Sequence, residues 1–261
     1  MVATHFYEAL GLNTFNGITA VGIPNIFVAL YATDPGDTGQ GGIELQYPEY
    51  SRQPLVLTPP FAEGGGIAVR NVGDILWSES TADVGQARFI GILDSGVVGS
   101  GNMLLRGELT IPLDIRAGRQ PSIAQGDIMF IHSGATTVEF KTRFLNICRG
   151  LNMLGISPHM ALFDGDPEAG GSELSGPTYS RPNIIFNTPS IQPAGFTEIA
   201  NTNEVQFPRP TTTWGNKAWA AIMDSQVGGQ AIVKVQFAVP EIIAPNHVPI
   251  HNPGNIRISL N

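Results

Sequence analysis

The chain has 261 residues, 42% hydrophobic and only 14% charged, which is enough apolar surface to close an interior and too little charge to keep a chain unfolded. A net charge of -8 with no lysine or arginine cluster argues against a phosphate backbone as partner, so no nucleic acid is expected. The single cysteine, Cys148, excludes an internal disulfide, and no run approaches the ~20 apolar residues of a membrane span, so no membrane partner is expected either.

The elements follow in chain order. Met1 to Leu12 lack the cationic-then-apolar pattern of an export signal, so synthesis in a cytoplasm is expected. Within this stretch Thr4 is the predicted cap of a short amphipathic helix with Phe6, Ala9 and Leu10 on its buried face. Ile26 to Tyr31 reads as an apolar strand that runs into Asp34-Pro35. Beyond it, 31 glycines and 20 prolines punctuate short Val/Ile/Phe-rich runs through the whole chain. That pattern predicts a mainly β protein with about five to seven short strands per half, arranged as antiparallel sandwiches. Asp127 to His132 is the last strand of the first half. A second helix follows, with Phe144, Ile147, Cys148 and Leu151 facing inward and Thr142 as cap. Cys148 is read as a small buried hydrophobe rather than a reactive thiol.

Self-similarity explains this order. Asp34-Pro35 returns as Asp166-Pro167, Tyr50-Ser51-Arg52 as Tyr179-Ser180-Arg181, Gly91 to Ser95 as Ala221 to Ser225, and Gly126 to Phe130 as Gly254 to Ile258. The offsets are 132, 129, 130 and 128 residues, in the same order along both halves. The chain therefore reads as two tandem antiparallel β-sandwich domains, residues 1–140 and 141–261, each preceded by its helix and each expected to close its own interior. The junction is expected near Val138 to Thr142.

Candidate chemistry is sparse. Asp164, Asp166 and Glu168 alternate like calcium ligands but lack the glycine and distal glutamate of an EF-hand. His247 and His251 would stand about 13 Å apart on an extended segment. No third ligand accompanies them, so no metal and no cofactor is expected. No Gly-x-Ser-x-Gly elbow or other nucleophile is recognisable, and no catalytic residue is assigned. Trp77, Trp214 and Trp219 suit a sandwich core better than a sugar platform. Arg52 and Arg181 occupy equivalent places, as do Asp34 and Asp166, and Asp94 and Asp224. These six are candidate structural fasteners between a strand end and the Asp-Pro loop, with plain surface charge the alternative reading.

Phe6 to Leu10, Val28 to Pro35, Glu44, Tyr50 to Pro54, Asn71 to Trp77, Ile90 to Asp94 and Leu104 to Thr110 together resemble a family of tail-fibre-like or accessory virion proteins of tailed phages. The second half resembles it more loosely, through Ala161 to Pro167, Tyr179 to Arg181, Asn201 to Phe207, Trp214-Gly215 and Ala220 to Asp224. Two departures stand out: the chain holds two copies, and its first copy has residues around Ile111 to Ile123 read as an extra arm or loop. The resemblance implies a virion protein made in the host cytoplasm, with other virion proteins, capsid or tail subunits, as partners. A homo-oligomer is also compatible. Two functions compete. One is a non-enzymatic structural role, decorating or cementing a capsid or serving the tail, in which tethering two surfaces makes weak contacts add. The other is a fibre-type module that recognises host-surface carbohydrate, although no heptad shaft for trimerisation is present.

Overall fold

The computed structural model describes residues 1–260. In the first half, strand β1 (Val2–Ala3) leads into helix α1 (His5–Asn13) and a short 3-10 turn, Thr14–Asn16. Strands β2 (Ile26–Tyr31), β3 (Gln53–Leu55), β4 (Phe61–Glu63), β5 (Gly66–Arg70), β6 (Ile75–Leu76), β7 (Gly85–Leu93), β8 (Met103–Ile115), β9 (Ser122–Ile123) and β10 (Met129–His132) follow. They form an antiparallel sheet in the order β1-β8-β7-β2-β3, a second sheet β10-β5-β4, and the two-stranded ladder β6-β9. The inner residues of the two larger sheets, Val28 and Ile92 against Val69 and Phe130, belong to one buried cluster.

The second half repeats the plan. Helix α2 (Val138–Ile147) precedes β11 (His159–Phe163), β12 (Ser190–Ile191), β13 (Thr197–Ala200), β14 (Val205–Gln206), β15 (Gly215–Met223), β16 (Ala231–Ile243), β17 (Ile250–His251) and β18 (Arg257–Leu260). The sheets β11-β15-β16, β12-β13-β18 and β14-β17 match β2-β7-β8, β4-β5-β10 and β6-β9 of the first half. Even the irregularities repeat. Leu109 to Pro112 bulge out opposite the single residue Arg88, and Phe237 to Pro240 do so opposite Ala218. The proposed extra arm at Ile111 to Ile123 is thus not an insertion relative to the second copy, because β8 and β16 are both 13 residues long.

The helices change the picture of two closed domains. Thr4 caps α1 and anchors it to its own half, its hydroxyl donating to the Met103 carbonyl at 2.5 Å. Thr137 caps α2 and donates to the Ala231 carbonyl at 2.7 Å. From these anchors each helix crosses over: α1 packs on β13 and β18 of the second half, and α2 packs on β5 of the first. A single buried cluster therefore runs through both halves, and neither closes its own interior. The reason lies in the sheets, since β5-β10 and β13-β18 each leave an apolar face that the opposite helix covers.

This exchange also corrects the helix faces. The buried residues of α1 are Tyr7, Glu8, Gly11 and Leu12, whereas Phe6 is exposed and Ala9 and Leu10 are half-buried. In α2, Phe144, Ile147 and Cys148 are buried as predicted, but Leu151 lies beyond the helix and is exposed. Thr142 sits inside the helix, and Thr137 is the cap.

The two helices meet where Phe144 lies over Gly11. A Cβ on Gly11 would come within 2.7 Å of the Phe144 ring. Beside it, the Tyr7 hydroxyl donates to the Phe144 carbonyl at 2.6 Å, and the two rings lie 4.4 Å apart. Next along α1, Glu8 is buried and accepts a 2.6 Å bond from the Thr197 hydroxyl across the boundary. Burial raises its carboxyl above the usual range, with the Thr197 bond pulling the other way.

Candidate functional site

Arg52 and Arg181 are buried, at 5% and 8% exposure, which excludes plain surface charge. Arg52 makes two parallel bonds of 2.8 Å to Glu44 and, through its third nitrogen, donates to the carbonyls of Ser95 and Ser100 at 2.8 and 2.7 Å. Arg181 does the same with Glu173, at 2.8 and 2.5 Å, and with the carbonyls of Ser225 and Gly228 at 2.9 and 2.6 Å. A planar guanidinium is the only side chain that can serve a carboxylate and two carbonyls at once in this way. Tyr50 and Tyr179 complete each cluster, donating to the same carboxylates and accepting the backbone N–H of Leu30 and Leu162. Burial, followed by the adjacent carboxylate, raises both phenols well above their ordinary range, so they remain neutral donors.

The six predicted fasteners are therefore not one cluster. Asp34 is held by Arg106 at 2.8 and 2.9 Å, and Asp166 by Lys234 at 2.7 Å, so neither Asp-Pro loop touches the buried arginine. Asp94 accepts from Asn102 through both oxygens, at 2.6 and 2.8 Å, while Asp224 accepts the Gln230 N–H at 2.8 Å and faces Arg143 at 3.3 Å. These aspartates close the base of the loops whose crowns Arg52 and Arg181 hold.

Sequence reasoning missed Glu44 and Glu173 as the partners, although they share the 129-residue offset of the arginines. It also missed Asn71 and Asn201 as fasteners. Each of these asparagines accepts one backbone N–H, from Ile128 or Ile256, and donates to two carbonyls.

The other candidates take structural places. Glu168 and Asp166 share the Lys234 ammonium, and Asp164 accepts the Ser172 N–H at 2.6 Å. His247 faces Glu241 at 3.3 Å, whereas His251 lies in β17, where burial and then Lys217 lower its pKa. Among the described residues no three His, Cys, Asp or Glu side chains converge as metal ligands, and no helix is long and apolar enough to cross a membrane. Trp77 and Trp214 are buried, and Trp219 is partly covered by Lys234. Cys148 is buried and its thiol is pushed up to about 12 by that burial.

What the surface offers instead is apolar, and half of its large exposed hydrophobics come in pairs. Ile18 and Leu151, Val21 and Leu154, Val56 and Ile185, Val97 and Val227, and Ile111 and Val239 are all exposed hydrophobics at equivalent positions of the two halves. At each of these positions both halves keep an exposed apolar residue, whereas Ile43, Val72, Leu76, Ile242 and Ile250 have polar equivalents. Val97 and Val227 ride on the loops that the buried arginines clamp, so their presentation is rigid.

A family model described as the podophage GP4 fiber I protein gp80 matches residues 2–131 and 146–259, nearly all of both halves. The chain belongs to this family. Membership makes it a phage fibre-family protein, a structural component of the virion that associates with other virion components. The matched segments contain both arginine clamps and both long strands. A search of curated proteins finds no match.

Proposed function

We propose that this fibre-family protein is a non-enzymatic packing component that docks on neighbouring virion subunits through its paired apolar positions, as a tail accessory. The observation that carries the reading is the retention of five exposed apolar pairs in both halves. Singly exposed hydrophobics are ordinary on a protein surface, but the same ones kept twice need a reason. The ionisable residues common to both halves support it too, because the arginine–glutamate pairs and the aspartates are engaged in holding loops.

Chemical labelling or a density map of purified virions tests this directly. The chain is expected in washed particles, at the tail, and Val97→Glu with Val227→Glu is expected to release it. Its absence from washed particles would overturn the proposal, and a position on the head would replace the tail role by capsid decoration. Carbohydrate recognition is the competing role; the burial of Trp77 and Trp214 removes two of its three aromatic platforms. Specific binding on a glycan array would restore it.

A further inference from the structure

We infer that the face lying on the axis between the two halves is a self-association surface whose occupant is a second copy of this chain. Ala20 and Met153 exchange backbone bonds there, both 2.9 Å, with their side chains buried. The alternation of an antiparallel pair then turns Val21 and Leu154 outward, where they are 69% and 67% exposed, with Ile18 and Leu151 also exposed nearby. A groove of ≈ 460 Å³ lies on one side of this ridge, bounded by Val21 and Asp94, and its counterpart of ≈ 510 Å³, bounded by Leu154 and Asp224, lies on the other.

Three features select the occupant. The patch is continuous with the interface between the halves, since the groove residues Gly22 and Asn152 on one side, and Thr19 and Gly155 on the other, bond across it. Its charge is already committed: Asp94 is bonded through both oxygens to Asn102, and Asp224 to Gln230 and Arg143. The charged side chains that line the two grooves, Asp94, Asp224 and Arg143, are all partnered within the chain, so two copies meeting here bring no unpartnered groove charge together despite the net charge of -8. Finally, the patch presents the same chemistry twice, in opposite directions about an axis. Successive subunits of a ring with more than two members point the same way around it and cannot meet both strips alike. A second copy can, because an isologous contact sets each strip against its counterpart.

Sedimentation velocity of the full chain over rising concentration tests this, with Val21→Glu/Leu154→Glu as the disrupting variant and Ile242→Glu, an exposed position opposite Asn216 at the far end of β15 and outside the five pairs, as the control. The wild type and the control are expected to sediment at twice the chain mass. The disrupting variant should associate at least ~100-fold more weakly, about 2.7 kcal/mol, with an unchanged melting temperature. If it melts early, the milder pair Val21→Ser/Leu154→Ser replaces it. A wild type that stays monomeric up to about 1 mM, or a dimer that survives substitution of the ridge, overturns the inference. Loss of the chain from virions with the dimer intact would count against the packing role alone.

Discussion

Ala20 and Met153 are partners in one backbone pair and also equivalents in the two repeats, 133 residues apart. The bonds around them are reciprocal. Ile23 donates to Ile147 at 2.7 Å and Ile156 to Thr14 at 2.8 Å, and both donors and both acceptors are again 133 residues apart. Such reciprocity defines an isologous, two-fold contact. The chain is thus built like a dimer whose subunits have been joined end to end.

It follows that the halves unfold together. Gly155 lies so close to Gly17 that a Cβ would come within 2.1 Å of its carbonyl oxygen, and Gly22 stands in the same relation to Gly150, at 2.4 Å. Gly155→Ala is expected to cost about 3 kcal/mol, the upper end of what overpacking usually costs, because the atoms it meets are backbone, and to shift one calorimetric transition downward as a whole. Two separated transitions, with only the second half moved, would contradict the shared interior.

Arg52→Ala removes one partner of a buried pair and strands Glu44, so a loss of about 3–5 kcal/mol is expected in urea unfolding. Arg52→Lys should recover only part of it, because an ammonium cannot serve the carboxylate and both carbonyls. Hydrogen exchange should rise in the loop from Ser95 to Ser100 in either variant. Arg181→Ala should behave alike at Ser225 to Gly228.

His132 is buried against Phe140 and Phe144, and burial followed by the Lys141 charge lowers its pKa to about 4. The folded protein holds this ring neutral, so the stability it contributes is complete above the unfolded value near 6.5 and is lost as pH falls toward 4. The window corresponds to about 3 kcal/mol. His132→Leu, the residue found at the equivalent Leu260, should flatten the decline of the melting temperature between pH 6.5 and 4; an unchanged slope would assign the acid sensitivity to other groups.

Glu8 has the opposite sign. Its folded pKa is raised, so its ionisation works against folding, with full stability below the ordinary glutamate range and a loss as pH rises through the folded value. Glu8→Gln keeps an acceptor for Thr197 and should raise the melting temperature at pH 7 while leaving it nearly unchanged at pH 4. Equal melting at both pH values would show that the carboxyl is not desolvated.

The repeat was legible because the clamp demands it: a tyrosine and an arginine two residues apart must both reach one glutamate, so Tyr-Ser-Arg survives twice. The strands were legible for the same reason, as their apolar runs end at recognisable Asp-Pro and glycine turns. The helix faces were not. The inward face of α1 contains Glu8 and Gly11, which hydrophobic spacing assigns to solvent, and their burial is set by Thr197 and Phe144 from the distant half. Glu44 and Glu173 were hidden by the loops that carry them, where no period relates a carboxylate to its arginine. The cap at Thr137 could have been found, since it stands from Thr4 at the offset shared by the whole interface.

At the helix crossing the two repeats have stopped being interchangeable. Position 11 is glycine and its counterpart, position 144, is phenylalanine. A pairing of two first halves would oppose hollow to hollow and leave a void, and a pairing of two second halves would drive ring into ring. Only unlike halves fit, so whatever ancestor paired with itself has become a lock and its key carried on one polypeptide, and the order of the copies along the chain now has meaning.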